Sequence, residues 1–358
     1  MWVFYFLILV PLAIQHFIVG NGTVNFQKKN TRAIGVFFVL LFILIALRHE
    51  SVGNDTRNYI NIFYGYSKLD WQMLGKQSLE LGFAYFNKII SLFTKEPQVF
   101  LGITAAITVM MIYPTYKRLC VDSSLTIVLF ITMSTFVMAF SGIRQMLAIA
   151  IGFIAYEFTR KKKIVPFFLL VLLAMSFHIS AFLLLFMYPI YHAKITTKWL
   201  FAVVPIMMAI FVFNEQIFMN LEPLFLLYTE YDTGMEQTGA YTILILFIAF
   251  AVFTFLVPDE ASLDSETIGL RNLLLLAVAL QMFAPIHSLA MRMNYYYIIF
   301  IPMLIPKIIK ARSNRWGQVA VIGRHVMVIF FLVYFFYNAY VSESNLNVFP
   351  YHFFWEVM

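Results

Sequence analysis

Apolar runs recur along the chain at 2–19, 33–47, 99–116, 125–141, 143–158, 164–176, 179–191, 199–213, 241–257, 270–287, 293–306 and about 318–340. A hydrocarbon core about 30 Å thick takes on the order of 20 apolar helical residues per crossing, so the pattern predicts an all-α, polytopic integral membrane protein. Residues 79–94 are shorter and amphipathic, as expected of a helix lying on, or re-entering, a membrane surface. The first run lacks a basic leader and a small-residue cleavage site and is followed at once by another apolar run, so it reads as a retained helix.

Polar residues between the runs set the topology. Basic side chains gather in Lys28/Lys29/Arg32, Lys117/Arg118, Arg160 to Lys163, Lys194/Lys198 and Lys307/Lys310/Arg312/Arg315, and the positive-inside rule places every such cluster in the cytoplasm. An even number of crossings must then separate neighbouring clusters. That condition gives about twelve transmembrane helices, several of them short, in one transmembrane domain over 1–358. It puts both termini, the loops 48–96 and 214–239 and the tail 341–358 outside. It also favours two short helices over one tilted span for 164–191. The acidic stretch Asp259, Glu260, Asp264 and Glu266 falls on the inner side, although acidic residues weigh little in this rule.

Composition narrows the class further. Hydrophobic residues make up 62% of the chain and charged ones 12%, against roughly 25% charged in a soluble domain. The net charge of +7 lies in short loops that orient helices, so no nucleic-acid partner is expected. A single cysteine, Cys120, leaves no disulfide framework and no cysteine-based metal site.

The segment Arg48-His49-Glu50-Ser51-Val52-Gly53-Asn54-Asp55-Thr56-Arg57-Asn58-Tyr59 places five ionisable side chains directly behind an apolar run. Under the predicted topology Arg48, Asp55, Arg57, Glu80, Arg144, His178, His287, Arg292 and His352 all reach the outer face. Charges near membrane depth are costly unless paired or lining a wet cavity, which marks them as functional candidates. Arg144 and His178 sit at breaks between short apolar runs, and Arg292 opens a helix. Each has a plainer reading: interfacial anchor for the arginines, satisfied structural donor for His178, helix N-cap for Asp55, first-turn charge for Glu80. The tyrosines, among them Tyr59, Tyr296 and Tyr351, suit an aromatic belt; stacking on sugars is the sharper alternative.

No phosphate loop, dinucleotide fingerprint, zinc-binding histidine pair or nucleophile elbow is present. The chain does resemble the EpsG family of Wzy-type polymerases. The likeness rests on an Arg before Val52 to Tyr59, on Leu79-Glu80-Leu81-Gly82-Phe83, Ile143-Arg144-Gln145-Met146-Leu147-Ala148, Phe177-His178-Ile179-Ser180-Ala181, Met291-Arg292-Met293 and a terminal Pro350-Tyr351. It departs at Asn54, where a small or hydroxyl residue is common, and at Leu81, where a proline often follows the glutamate.

The resemblance implies a membrane glycosyltransferase that joins polyprenyl-diphosphate-linked oligosaccharide repeat units on the outer face of the bacterial plasma membrane, in exopolysaccharide, capsule or O-antigen synthesis. Arginines offer permanent, bidentate donors to a departing diphosphate, which suits Arg144 and Arg292, then Arg48. The acceptor hydroxyl needs a base: His178, whose reference pKa is about 6.5, with Asp55 or Glu80 as substitutes. Sugar contacts fall to Tyr59, Tyr296 and Tyr351. No cofactor and no metal are expected. Donor and acceptor lipids, membrane lipid, a repeat-unit flippase and a chain-length regulator are the expected partners. The rival readings are a flippase or transporter for lipid-linked oligosaccharide, and another outer-face polyprenyl-dependent glycosyltransferase or ligase.

Overall fold

The computed structural model describes residues 2–17, 26–76, 79–195, 197–225, 238–286, 288–312, 316–340 and 347–356. All regular structure among them is helical. In chain order the helices are α1 (Trp2–Phe17), α2 (Phe26–Ala46), α3 (Thr56–Lys68), α4 (Leu81–Ser91), α5 (Pro97–Leu119), α6 (Ser123–Thr132), α7 (Ser134–Ser141), α8 (Ile143–Arg160), α9 (Ile164–Met175), α10 (Met187–His192), α11 (Leu200–Val212), α12 (Asn214–Phe225), α13 (Thr238–Leu256), α14 (Ser265–Gln281), α15 (Ser288–Ile298), α16 (Ile301–Lys310) and α17 (Gly317–Tyr340). Short 3-10 helices at Trp71–Lys76 and Ile179–Phe186 matter for the site. The chain forms two compact units, one from Met1–Leu185 with Val321–Met358, the other from Phe186–Ala320.

In the first unit α2, α5, α8 and α9 pack alongside one another, and one end collects the basic residues. Arg118 at the end of α5 and Arg160 at the end of α8 both pair with Glu157, at 2.5 and 2.9 Å. Asn30, in the first turns of α2, meets Val121 O and Ser123 just past α5, and Arg324 on α17 pairs with Asp122. The clusters beginning at Lys28, Lys117 and Arg160 therefore share an end, as the charge pattern requires. At the opposite end Gln98, in the first turn of α5, donates to Ala46 O at the close of α2. Phe4 near the start of α1 stacks edge-on against Phe140, Phe335, Phe349 and Tyr351 there.

Residues 164–191 form two short helical pieces. Helix α9 rises about 18 Å at 1.5 Å per residue and stops at Ser176. The 3-10 helix then turns back along α8, since Leu184 packs on Gly152 in the middle of that helix. A single tilted span would carry Leu184 away from Gly152.

The segment between α2 and α5 is a helical cap. Helix α3 buries Thr56, Tyr59, Ile60, Phe63 and Tyr66, and α4 buries Phe83, Ala84, Asn87, Ile90 and Ser91, the spacing of amphipathic helices with one face on a core. That core joins Tyr59, Ile60, Phe63, Phe83 and Ile90 to Phe100, Leu101, Ile143 and Leu147. Outward, Leu81, Tyr85, Ile89, Leu92 and Phe93 stay exposed.

The second unit repeats the segregation of charge. Arg271, early in α14, donates to both Glu260 oxygens at 2.8 and 2.7 Å and to Ile195 O at 3.2 Å. Lys307 near the end of α16 pairs with Asp264 at 3.0 Å. The acidic stretch that counted against the predicted topology is thus matched by cations at its own end of the unit. Toward the other end, Asn294 on α15 donates to Ala277 O and Gln281 Oε1, and Gln281 donates to Ala240 O.

Among the described residues three helices are long and apolar enough to cross a membrane, Gln27–Ala46, Pro97–Leu119 and Gly317–Tyr337, and five segments qualify if each bent pair counts as one span. The bends, of 59° and 73°, fall between α6 and α7 and between α11 and α12. Val3–Ile14, Ile164–Met175, Ile179–His192 and Ala240–Leu256 are shorter apolar helical stretches of 10–17 residues.

Candidate active site

The site is assembled around Glu80. This residue precedes α4 but makes no side-chain cap to it. Its Oε2 accepts from Arg144 Nη1 at 2.7 Å, and its Oε1 accepts from the backbone N–H of Ile179 at 3.0 Å. One carboxylate therefore ties the first turn of α8 to the first turn of the Ile179–Phe186 helix. Both side chains keep a margin of exposure, 13% for Arg144 and 18% for Glu80. The guanidinium carbon of Arg144 lies 6.0 Å from the Tyr59 ring centroid, within range of a cation–π contact.

Gly82 lets this junction close. Phe83 N–H donates to Ser176 O at 3.1 Å, and a Cβ on Gly82 would lie 2.7 Å from that same oxygen. Only a residue without a side chain brings α4 this near to the turn carrying His178.

His178 is oriented by Ser180. The backbone N–H of Ser180 donates to His178 Nδ1 at 3.3 Å, with Ser180 Oγ 2.9 Å from the same nitrogen. His49 and Ser51 repeat the arrangement at 3.2 and 2.9 Å. The His-x-Ser spacing at both places is the signal that could have suggested it from sequence.

Asp55 is held differently from the helix cap the sequence suggested. It makes no side-chain cap to α3. Its Oδ2 accepts from Ser141 Oγ at 3.1 Å, and its N–H donates back to Ser141 Oγ at 3.3 Å, which fixes it to the α7 end three residues before Arg144. Gly53, at φ +89°, permits the approach, since a Cβ there would lie 2.3 Å from Phe140 O.

Arg48 is fully buried. Its Nε donates to Thr56 Oγ1 at 3.3 Å and its Nη1 to Ile45 O, and burial pulls the guanidinium down to about 10. The chain's tail covers it. Arg48 bridges Phe353, His49 N–H donates to His352 O, Gly53 N–H to Asn347 O and Phe354 N–H to Leu47 O. Arg57 pairs outside with Glu50 at 2.9 Å.

The first unit therefore brings Glu80, Arg144, Tyr59 and the His178 turn together, with Asp55 anchored at the adjoining α7–α8 junction. Arg292 lies in the second unit, half-buried in the first turns of α15, away from the paired Lys307 end. His287 lies outside the described residues. Of the tyrosines, Tyr59 packs beside Arg144, Tyr296 is buried within α15, and Tyr351 donates its hydroxyl to Leu44 O at 2.8 Å. Burial raises the pKa of Tyr66 on α3, which also feels the charges of Arg144 and Glu80. Among the described residues no three of His, Cys, Asp and Glu come together as metal ligands.

Long apolar helices, with ionisable groups gathered at one end of a helical unit and basic clusters at the other, define a membrane protein with polar chemistry at one end. The sequence matches the EpsG family over residues 32–353, and the chain belongs to that family, a Wzy-like polymerase family of polysaccharide synthesis. No curated protein and no solved structure matches it.

Proposed function

We propose that the protein polymerises polysaccharide by joining lipid-linked oligosaccharide repeat units at the outer face of a bacterial plasma membrane. The donor is a growing chain on polyprenyl diphosphate and the acceptor is one repeat unit on the same lipid. The acceptor hydroxyl attacks the anomeric carbon, the bond to the diphosphate breaks, and the diphosphate leaves with the electron pair. About twelve crossings carry the chain in this reading, some of them bent or built from short helices.

The observation that carries this reading is the Glu80–Arg144 latch beside the His178 turn, at the end of its unit opposite the Arg118–Glu157–Arg160 cluster. A fixed guanidinium with a partly exposed edge suits a leaving group whose negative charge grows as the bond breaks. Arg48 serves by holding the loop that carries Asp55. A repeat-unit flippase and a chain-length regulator work beside it.

The test is a gel of polysaccharide from producing cells lacking the gene and complemented with wild type or Arg144→Ala, with protein levels matched. Deletion should leave single repeat units on their carrier, and only wild type should restore the ladder. Long chains surviving deletion would remove polymerisation from its role. Loss of even the single unit from the outer surface would favour a flippase.

A further inference from the structure

We infer that His178 works as a hydrogen-bond donor to the leaving diphosphate, and that the base which takes the acceptor's proton is Asp55. The inference rests on the polymerase reading and assigns roles within it.

A backbone N–H can only donate. Because Ser180 N–H points at His178 Nδ1 at 3.3 Å, that nitrogen must present its lone pair, and the neutral ring then carries its proton on Nε2. Neutral or protonated, the ring is a donor at Nε2 and has no lone pair there to accept a proton. To act as a base through Nε2 it would have to give up the bond that caps the first turn of its own helix.

Glu80 is engaged at both oxygens, one by Arg144 and one by Ile179 N–H. These charge-assisted bonds commit both oxygens to holding the elements together. Asp55 Oδ2 accepts a hydrogen bond from Ser141 Oγ at 3.1 Å and has no arginine or lysine salt bridge among the described residues. A carboxylate held by one neutral donor keeps lone pairs for a substrate hydroxyl.

The step balances without further reagents. The acceptor oxygen bonds to the anomeric carbon as the carbon–oxygen bond to the diphosphate breaks. The hydroxyl proton passes to Asp55, and the electron pair leaves on the diphosphate, held by Arg144 and the Nε2–H of His178. Glu80 is a positioning residue that fixes the elements carrying both donors.

The experiment compares His178→Gln, His178→Asn, His178→Ala, Asp55→Asn and Asp55→Glu in the deletion strain, reading the polysaccharide ladder at matched protein levels. It then follows elongation of the endogenous lipid-linked oligosaccharide in isolated membranes. Glutamine offers an N–H donor near the place of Nε2 and cannot act as a base. It should retain elongation at least tenfold above alanine, with asparagine, which keeps only the cap, close to alanine. Asp55→Asn should fall at least a hundredfold and Asp55→Glu less.

The groups facing the histidine turn are Glu80 and Arg144, with Tyr66 and Tyr59 beside them from α3. His178→Gln as inactive as His178→Ala, or Asp55→Asn retaining wild-type elongation, would overturn the inference while leaving the polymerase reading intact. If deletion of the whole chain leaves the ladder unchanged, the polymerase reading itself has failed.

Discussion

Each unit of this protein holds an arginine–glutamate pair, and the two pairs are built for different ends. Arg271 is fully buried, meets both oxygens of Glu260, adds Ile195 O and lays its flat face 4.0 Å from the Phe255 ring centroid. Arg144 meets Glu80 through Nη1, keeps some exposure, and shares its carboxylate with the backbone of the helix that directly follows His178. The first arrangement surrounds a guanidinium with the partners that hold a fold together. The second leaves one with an exposed margin, where the proposed function places the substrate. An arginine at a helix end reads the same in both cases until its surroundings are known.

Removing each arginine should separate the two roles most sharply. Arg271→Ala strips the partner from Glu260 and empties a fully buried, packed site against Phe255, so the protein recovered from membranes should fall. Arg144→Ala should leave protein levels near wild type while long-chain product drops on the order of a hundredfold, the usual size of losing one preorganised donor to developing charge. If Arg144→Ala also lost its protein, the contrast would collapse.

Gly82→Ala makes a smaller break at the latch alone. The new methyl would press on Ser176, an overpacking of about 1 to 3 kcal/mol, and should reduce elongation more than it reduces protein. Gly65→Ala, where a Cβ meets nothing within 4 Å, is the matched control and should change neither.

Acid provides the finest comparison. The hydrogen bonds from Arg271 hold the Glu260 carboxyl below its ordinary range. A depressed folded value means that the stabilisation is fully present above the unfolded carboxylate value of about 4.3 and fades as pH falls through the folded one. The thermal midpoint of purified protein should therefore exceed that of Glu260→Gln by a constant margin above about pH 5, and the margin should close toward pH 3. A margin that grew on acidification would contradict the pairing.

Much of this was readable in the sequence because it depends on side-chain type. Alternating apolar runs and basic clusters announce helices with a common charged end, and Arg118 and Arg160 meeting at Glu157 bear that out. Short runs at 164–176 and 179–191 announce the reversal at His178. What stayed hidden depends on backbone groups and on distance along the chain. Nothing in a sequence marks Ile179 N–H as the partner of Glu80, or Ser180 N–H as the group that sets the histidine tautomer. Arg271 was overlooked because its partner, eleven residues earlier, sits within an acidic stretch read as a topological nuisance. Asp55 looked like a helix cap because Asp before Thr usually is one, and only the approach of Ser141 reveals another use.

The tail pairing has a consequence for how the protein is made. Gly53 bonds Asn347 and Arg48 bridges Phe353, so the loop carrying Asp55 is completed by residues synthesised some 300 positions later. A nascent chain with its early helices already inserted must leave that loop unsealed until residues 347–354 have been made. Maturation of the loop is thereby tied to synthesis of a distant segment, and chains cut short before that segment would keep the loop unsealed.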